Sequence, residues 1–154
     1  MEYDRADKEV AEMSKIKVNE QRAVDEFQEL TAIDAPSFGE RQMADRLIVK
    51  LKELGFEVEE DNAGEHFGGN AGNLYAYLPG DPVLLSGHMD TVEPSKGKKG
   101  IIGEDGVIRS AGKAVLGADD VAGLVEILEG IRSVKEAGVP HRDIEILFTI
   151  AEEL

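Results

Sequence analysis

The sequence predicts an α/β fold, with a mostly parallel sheet flanked by helices, and three observations support this class. Helical and strand-like patterns alternate along the chain, an order typical of sheets with helical crossovers. Short apolar stretches at residues 83–87 and 144–150 enclose a helical pattern that begins at Asp119 or Asp120. The second stretch is mostly apolar on both faces, which favours a central strand covered on both sides.

The composition excludes several classes of protein. The chain has 154 residues, with 17 Lys and Arg against 32 Asp and Glu, and its formal net charge is −15. This charge repels phosphate backbones and anionic lipids, so we expect neither nucleic acid nor a membrane as a partner. Cysteine is absent, which excludes disulfides and thiolate metal ligands. The first residues lack the pattern of a signal peptide, and we expect a cytoplasmic protein.

Two helical patterns precede the first of these apolar strands. The first pattern starts at Asn19 and has helical spacing at Val24, Phe27, Leu30 and Thr31. Pro36 interrupts it, and Ser37 with Glu40 then has the spacing of a capping box. The apolar face of the second helix consists of Met43, Leu47, Ile48, Leu51 and Leu54. Gly55 follows where a C-cap glycine is expected.

Short strands and turns are predicted between the helices. Residues 56–58 and 74–78 are typical of strands, and residues 79–82, Pro-Gly-Asp-Pro, of a turn. The glycine-rich stretch 64–72 lacks the spacing of a phosphate-binding loop, which favours a surface loop. A hairpin is predicted with its turn at residues 104–106.

Three polar clusters lie at the ends of predicted elements. His88 and Asp90 follow one strand, the Asp pair at 119–120 opens a helix, and the Glu pair at 152–153 follows the last strand. In a parallel sheet all three clusters meet at the carboxyl ends of the strands, where open α/β sheets bind their ligands.

One imidazole with several carboxylates forms a nitrogen–oxygen ligand set, which suits zinc, manganese or cobalt better than calcium or magnesium. A cation also removes the repulsion between clustered carboxylates. A carboxylate such as Asp119 can bridge two ions about 3.5–4 Å apart. Asp90 can accept the proton of the His88 ring nitrogen that faces away from the metal. Of the two adjacent glutamates, one can bind metal while the other transfers a proton.

Each cluster taken alone has a simpler interpretation. His88 and Asp90 can be a surface hydrogen-bonded pair, the Asp pair a helix N-cap, and the Glu pair solvated charge after a strand. The occurrence of all three at the same edge of the predicted sheet favours a metal centre.

Three ordered segments resemble the signatures of the di-zinc exopeptidases, the family that includes peptidase T, aminoacylase and succinyl-diaminopimelate desuccinylase. They are Ser-Gly-His-Met-Asp-Thr-Val at 86–92, Leu-Gly-Ala-Asp-Asp-Val-Ala-Gly at 116–123 and Ala-Glu-Glu at 151–153. The hairpin sequence Glu-Asp-Gly-Val-Ile at 104–108 is most similar to the peptidase T-like branch. The resemblance runs from about Val18 to the last residue.

The resemblance implies two zinc ions, with manganese or cobalt as alternatives. His88 resembles a ligand of one zinc, Glu153 a ligand of the other, and Asp119 the carboxylate that bridges both. Asp90 resembles the aspartate that orients the histidine. Glu152 resembles the general base, which takes a proton from a metal-held water and returns it to the leaving amine.

The resemblance also implies how much of a catalytic domain is present. The family often has Lys where this chain has Val121, a position that is not a ligand. Family members continue with a further carboxylate, a distal histidine ligand and a lid domain. We therefore expect residues 1–17 to be an N-terminal extension and 18–154 to be the N-terminal portion of a metallopeptidase catalytic domain, incomplete at its C-terminal end. Such a chain is expected to be inactive alone, to bind zinc poorly and to self-associate. The peptide bond at 119–120 is expected to be cis.

The predicted function is zinc-dependent hydrolysis of short peptides from the N-terminus, as in a tripeptidase or aminopeptidase. Two alternatives remain open. The same motifs serve a deacylase of N-acyl amino acids, and the chain can instead be a non-catalytic module that binds metal or acts through protein contacts.

Overall fold

The computed structural model describes residues 11–77 and 83–154. Helix α1 spans Glu20–Thr31, α2 spans Arg41–Glu53 and α3 spans Ala118–Ala137. Strands β1 to β6 span Glu57–Glu60, Leu74–Tyr77, Val83–His88, Gly100–Ile102, Ile108–Ser110 and Ile144–Thr149. A 3₁₀ helix covers Ala63–His66. The predicted turn at 79–82 and residues 1–10 of the predicted extension lie outside the described residues. Within the described ranges, no helix has the length and apolar character needed to span a membrane.

The main sheet is mixed, with the strand order β1-β2-β6-β3. The predicted α/β class is confirmed, but among the described strands only β3 and β6 pair in parallel. These two strands are joined by a crossover through α3, which returns the chain to the end of the sheet where β3 began. The shorter connection between β1 and β2 reverses the chain direction, and β6 runs antiparallel to β2. The sheet is therefore less parallel than the alternating pattern predicted.

The hydrophobic core lies on one face of this sheet. Strand β6 is central as predicted, and its residues Ile144, Ile146 and Phe148 are buried in the core. The same core contains the apolar faces of α2 and α3. The alternate β6 positions 145, 147 and 149 are only partly buried. The expectation of cover on both sides is wrong for the described residues, because the helices of the core cluster pack against one face only.

The first two helices follow the predicted apolar spacing. The side chain of Asn19 accepts a hydrogen bond from the backbone N–H of Arg22, which caps α1. In α2 the residues Met43, Leu47 and Leu51 are fully buried. Gly55 follows with a φ of +86°, the left-handed conformation that glycine adopts readily at a helix end.

The predicted capping box is wrong. Helix α2 begins at Arg41, and its N-cap residue Glu40 makes no side-chain capping bond. The hydroxyl of Ser37 donates instead to Asp90 Oδ2 at 2.7 Å. Phe38 has a φ of +69°, so the chain turns between Ser37 and the helix and the local capping geometry does not form.

Helix α1 packs against α3 through buried ion pairs. The carboxylate of Glu26, which is 5% exposed, contacts Arg132 at 2.5 Å and Lys50 at 2.8 Å. Burial alone would raise the pKa of Glu26, but the hydrogen bonds from Arg132 and Lys50 lower it below its ordinary value. Arg22 joins the same helices through Glu129 at 2.6 Å. These pairs fix the helix layer that carries the start of α3.

The predicted hairpin is present as β4 and β5. The backbone N–H of Gly106 donates to the carbonyl of Gly103 at 2.9 Å and closes its turn. Helix α3 then begins with a distorted first turn, since Asp119 and Asp120 have non-helical dihedral angles. The peptide bond between them is cis, as the family resemblance implied.

Candidate metal centre

The parallel pair β3 and β6 brings two of the three polar clusters to one edge. His88 ends β3 and lies beside Thr149, the last residue of β6. The chain segments that follow both strands therefore leave the sheet side by side. The first turn of α3 reaches the same edge, because the carboxylate of Asp120 accepts the backbone N–H of His88 at 3.3 Å.

Three side chains converge at this edge: His88, Asp119 and Glu153. One ligand atom from each lies within 4.8 Å of the other two. His88 Nε2 is 3.1 Å from Asp119 Oδ1. The His88 side chain is 11% exposed, whereas that of Asp119 is 85% exposed, so the triad has a fixed inner wall and an open outer side. These three residues can hold one metal ion.

The orientation of the His88 ring is set by the residue two positions later. His88 Nδ1 lies 3.0 Å from the main-chain oxygen of Asp90 and 3.5 Å from its Oδ1. A proton on Nδ1 leaves the lone pair of Nε2 directed towards Asp119. Burial disfavours the charged ring, but the hydrogen bond to Asp119 and the negative charges of Asp90 and Glu152 raise the pKa of His88.

The carboxylate of Asp90 is directed mainly towards the third cluster. It is fully buried and accepts the Ser37 hydroxyl on Oδ2. It also accepts the backbone N–H of Glu152 at 3.0 Å and that of Glu153 at 3.2 Å. Burial alone would raise the pKa of Asp90, and these hydrogen bonds lower it below its ordinary value. The Asp90 carboxylate thus links the turn at Ser37 to the segment that contains the two glutamates.

The two glutamates lie in a turn after β6, where strand alternation does not set their directions. Ala151, which precedes them, has a φ of +54°. Glu153 joins the triad with His88 and Asp119. Glu152 Oε2 lies 3.8 Å from His88 Nε2, and its side chain is 59% exposed. Both carboxylates therefore face the imidazole, one as part of the triad and one beside it.

Gly87 allows the close approach of α3 to the end of β3. A Cβ atom at this position would lie 2.7 Å from Asp120 Oδ2 and 3.3 Å from Leu124 Cδ2. Asp120 also accepts the backbone N–H of Gly123 on Oδ1 at 3.1 Å, which caps the regular part of α3. Asp120 is therefore a positioning residue between β3 and α3, while Asp119 faces the site.

Sequence reasoning missed two polar side chains that support this edge. Asn73 Oδ1 accepts the backbone N–H of Ile150 at 3.0 Å, and Glu40 Oε1 accepts that of Ala151 at 3.1 Å. These partners are separated by 77 and 111 residues. Contacts over such distances leave no local pattern in the sequence, and the spacing of Glu40 from Ser37 suggested a different role.

Comparison with known proteins identifies the family. The sequence model of peptidase family M28 matches residues 73–154, which is more than half of the chain. The chain therefore belongs to peptidase family M28. The matched region contains all the residues of the candidate metal centre.

Relatives and solved structures agree with the predicted peptidase T-like resemblance. An uncharacterised protein, YqjE of Bacillus subtilis (strain 168), is 39% identical over 140 residues, covering 88% of this chain and 38% of the relative. A tripeptidase from Staphylococcus aureus superposes with a TM-score of 0.84 at 38% identity, covering 88% of this chain and 38% of that one. Aminopeptidase PepT from Bacillus cereus ATCC 10987 gives the same TM-score and coverage at 41% identity. The chain thus spans 38% of the length of these three proteins.

Proposed function

We propose that this chain is the N-terminal portion of the catalytic domain of a zinc-dependent peptidase that acts on the N-terminus of short peptides. The observation that carries the proposal is the convergence of His88, Asp119 and Glu153 at one edge of the sheet. Membership of peptidase family M28 and the similarity to a tripeptidase and to aminopeptidase PepT support the same class of reaction.

The donor set fits a zinc ion. One imidazole nitrogen and two carboxylate oxygens are ligands that zinc accepts, and three protein ligands are usual for a catalytic zinc. Manganese and cobalt accept the same donors. The exposed carboxylate of Asp119 leaves room for a second ion on its outer side. A bound divalent ion supplies Lewis-acid activation of water and of the peptide carbonyl.

The remaining residues have roles that follow from their contacts. Glu152 is exposed beside the triad, where its carboxylate can take a proton from the attacking water and return it to the leaving amine. Asp90 holds the ring of His88 through its main-chain oxygen and the two glutamates through its carboxylate. Glu152 is thus assigned to proton transfer, and Asp90 to positioning.

Metal titration of the 154-residue chain tests the proposal. Zinc binding measured by competition with a chromogenic chelator should weaken at least about tenfold in His88→Ala, because one of three ligands is lost. The matched control is His141→Ala, since His141 is exposed and lies outside the triad. Equal zinc affinity in wild type and His88→Ala would contradict the proposed centre.

The substrate class requires a second measurement. The chain, joined to the C-terminal portion of a peptidase T-like relative, should hydrolyse tripeptides with a free N-terminus faster than N-acetyl amino acids. The reverse preference would favour the deacylase. Zinc binding without hydrolysis of either substrate would favour a non-catalytic metal-binding module.

A further inference from the structure

Four successive backbone N–H groups, from residue 150 to residue 153, donate to side chains from distant parts of the chain. Ile150 donates to Asn73, Ala151 to Glu40, and the two glutamates to Asp90. The segment that carries the glutamates is therefore held by polar side chains from outside β6. Asn73 and Glu40 lie outside the family motifs, and Glu40 is the charged residue of the two.

Glu40 is a fully buried carboxylate at the start of α2. Its Oε1 atom accepts two backbone N–H groups, from Phe38 at 2.9 Å and from Ala151 at 3.1 Å. Its Oε2 atom is buried and has no hydrogen-bond partner. A buried carboxylate is costly unless its contacts compensate the loss of water.

Both donors to Glu40 have an unusual backbone conformation. Phe38 has a φ of +69° and Ala151 a φ of +54°, in the left-handed region that residues other than glycine seldom adopt. Such conformations persist when surrounding contacts stabilise them. Ser37, next to the turn at Phe38, donates to Asp90. The turn at Ala151 precedes the two glutamates and directs Glu153 towards His88. One carboxylate oxygen thus holds the two turns that meet at the metal centre.

We propose that Glu40 is a positioning residue for the metal centre, whose buried Oε1 atom fixes the turn that presents Glu153 to His88 and Asp119. The inference rests on the proposed function, because it assigns Glu40 a task at the same site. Glu40 contacts neither an ion nor a substrate. It acts through the backbone of Ala151.

Substitutions at position 40 separate the acceptor oxygen from the charge. Glu40→Gln keeps an acceptor at Oε1 and places its NH₂ group where Oε2 has no partner, so no existing hydrogen bond is lost. Glu40→Met has a similar length and no acceptor. Glu40→Asp keeps the charge but withdraws the oxygen by one methylene. Zinc affinity of the 154-residue chain should fall about 10–100-fold in Glu40→Met and Glu40→Asp, and less than about threefold in Glu40→Gln.

A matched control separates positioning from stability. Glu26→Met also removes a buried carboxylate, one that binds Arg132 and Lys50 in the helix layer away from residues 150–153. All variants are compared at a temperature where circular dichroism shows them folded, and Glu40→Asp replaces Glu40→Met if the latter does not fold. Zinc affinity should stay within about twofold of wild type in Glu26→Met. The amide proton resonance of Ala151 should move upfield in Glu40→Met and stay in place in Glu26→Met.

Three results would overturn the inference. The first is a zinc affinity of Glu40→Met, or of its substitute Glu40→Asp, within twofold of wild type. The second is an equal loss of zinc affinity in Glu40→Gln and Glu40→Met, which would show that the charge of Glu40 is the cause. The third is a loss of zinc affinity in Glu26→Met equal to that in Glu40→Met, which would show that lower stability of the fold is the cause. In each of these, zinc binding by the wild-type chain leaves the proposed metal centre intact, whereas absence of zinc binding in the wild type contradicts the proposed function itself.

Discussion

Asp90 accepts the backbone N–H of Glu152 on Oδ1 at 3.0 Å, although 62 residues separate them along the chain. The same carboxylate accepts the N–H of Glu153, and the main-chain oxygen of Asp90 faces the ring of His88. The motif that contains the imidazole therefore holds the motif that contains the glutamates. The two motifs form one structural unit.

Asp90→Asn should weaken zinc binding by about 10–100-fold, the usual effect of losing a group that orients metal ligands. An asparagine has one acceptor oxygen, so its NH₂ group would face the N–H of either Glu152 or Glu153. Zinc affinity, measured by chelator competition, checks this result. Ser37→Ala is the control, since it removes only the hydroxyl donor and should reduce stability by about 1.5–3 kcal/mol with little change in affinity. A larger loss of affinity in Ser37→Ala than in Asp90→Asn would contradict the assignment.

Gly87→Ala should displace the first turn of α3 and lower zinc affinity. Its Cβ atom would meet the carboxylate of Asp120, which sits next to Asp119. The control is Gly130→Ala in the same helix, where a Cβ atom meets nothing within 4 Å. That change should raise stability by about 0.5–1 kcal/mol, because alanine favours helix more than glycine does. Thermal unfolding and zinc titration distinguish the two variants, and unchanged zinc binding in Gly87→Ala would count against the role of Asp120.

The 154-residue chain should bind one zinc ion only weakly and should not hydrolyse peptides. The triad offers three ligand atoms, which satisfy one catalytic ion and not two. Turnover of a tripeptide is measured with the chain alone and with the chain joined to the C-terminal portion of a peptidase T-like relative. Zinc-dependent turnover by the chain alone, at the rate of the joined protein, would show that one ion and the described residues are sufficient.

Glu152 and Glu153 should have separable roles in the joined protein. Glu152→Gln preserves shape but removes the basic oxygen, so turnover should fall about 10²–10⁴-fold while zinc content stays nearly unchanged. Glu153→Ala removes a triad ligand, so zinc content should fall and activity should partly recover in excess zinc. Zinc stoichiometry and turnover are measured together. Loss of zinc in Glu152→Gln with full zinc in Glu153→Ala would require exchanging the two assignments.

Arg132→Met should destabilise the fold by about 3 kcal/mol, the lower end of the cost of breaking a buried ion pair, because Lys50 still contacts Glu26. The control is Arg109→Met, whose ion pair with Asp105 is exposed and should contribute little to stability. Chemical denaturation gives both values. An equal loss of unfolding free energy in the two variants would contradict the expectation that the buried ion pair stabilises the fold more than the exposed one.

Acidification should remove the contribution of Glu26 to stability. In the folded chain the pKa of Glu26 lies below its ordinary value of 4.5, so its charged form is stabilised by folding. The contribution is fully present above the unfolded pKa and is lost as the pH falls through the folded pKa. Glu26→Gln should therefore flatten the decline of the melting temperature below about pH 4.5. An unchanged acid profile in this variant would exclude Glu26 as a source of the decline.

Local sequence patterns predicted much of the fold and of the candidate site. The apolar spacing of α2, the glycine after it and the hairpin turn depend on neighbouring residues, and the structure has them where expected. The three polar clusters were placed correctly because each is adjacent to the end of its own element. The parallel pairing of β3 and β6 then brings two of these clusters together, and the first turn of α3 adds the third.

Long-range contacts account for what the sequence did not predict. The pattern of β6 showed that it is central, but not which face the helices cover. Ser37 and Glu40 matched a capping box, but the Ser37 hydroxyl donates to Asp90, and the Glu40 carboxylate accepts the backbone N–H groups of Phe38 and of the distant Ala151. A pattern of four neighbouring residues contains no information about hydrogen bonds to residues so far along the chain.

The hydrogen bonds to residues 150–153 join positions 62 to 111 residues apart, and this separation governs when the site forms during folding. Closing such long loops is slow compared with forming a helix or a hairpin. We therefore expect the glutamates to reach their positions only after α2, β2 and β3 have assembled around the last strand. A chain in which only the helices had formed would contain the imidazole and the carboxylates but would not bring them together. Metal binding at the proposed centre is consequently expected late in folding, after β3 and β6 have paired.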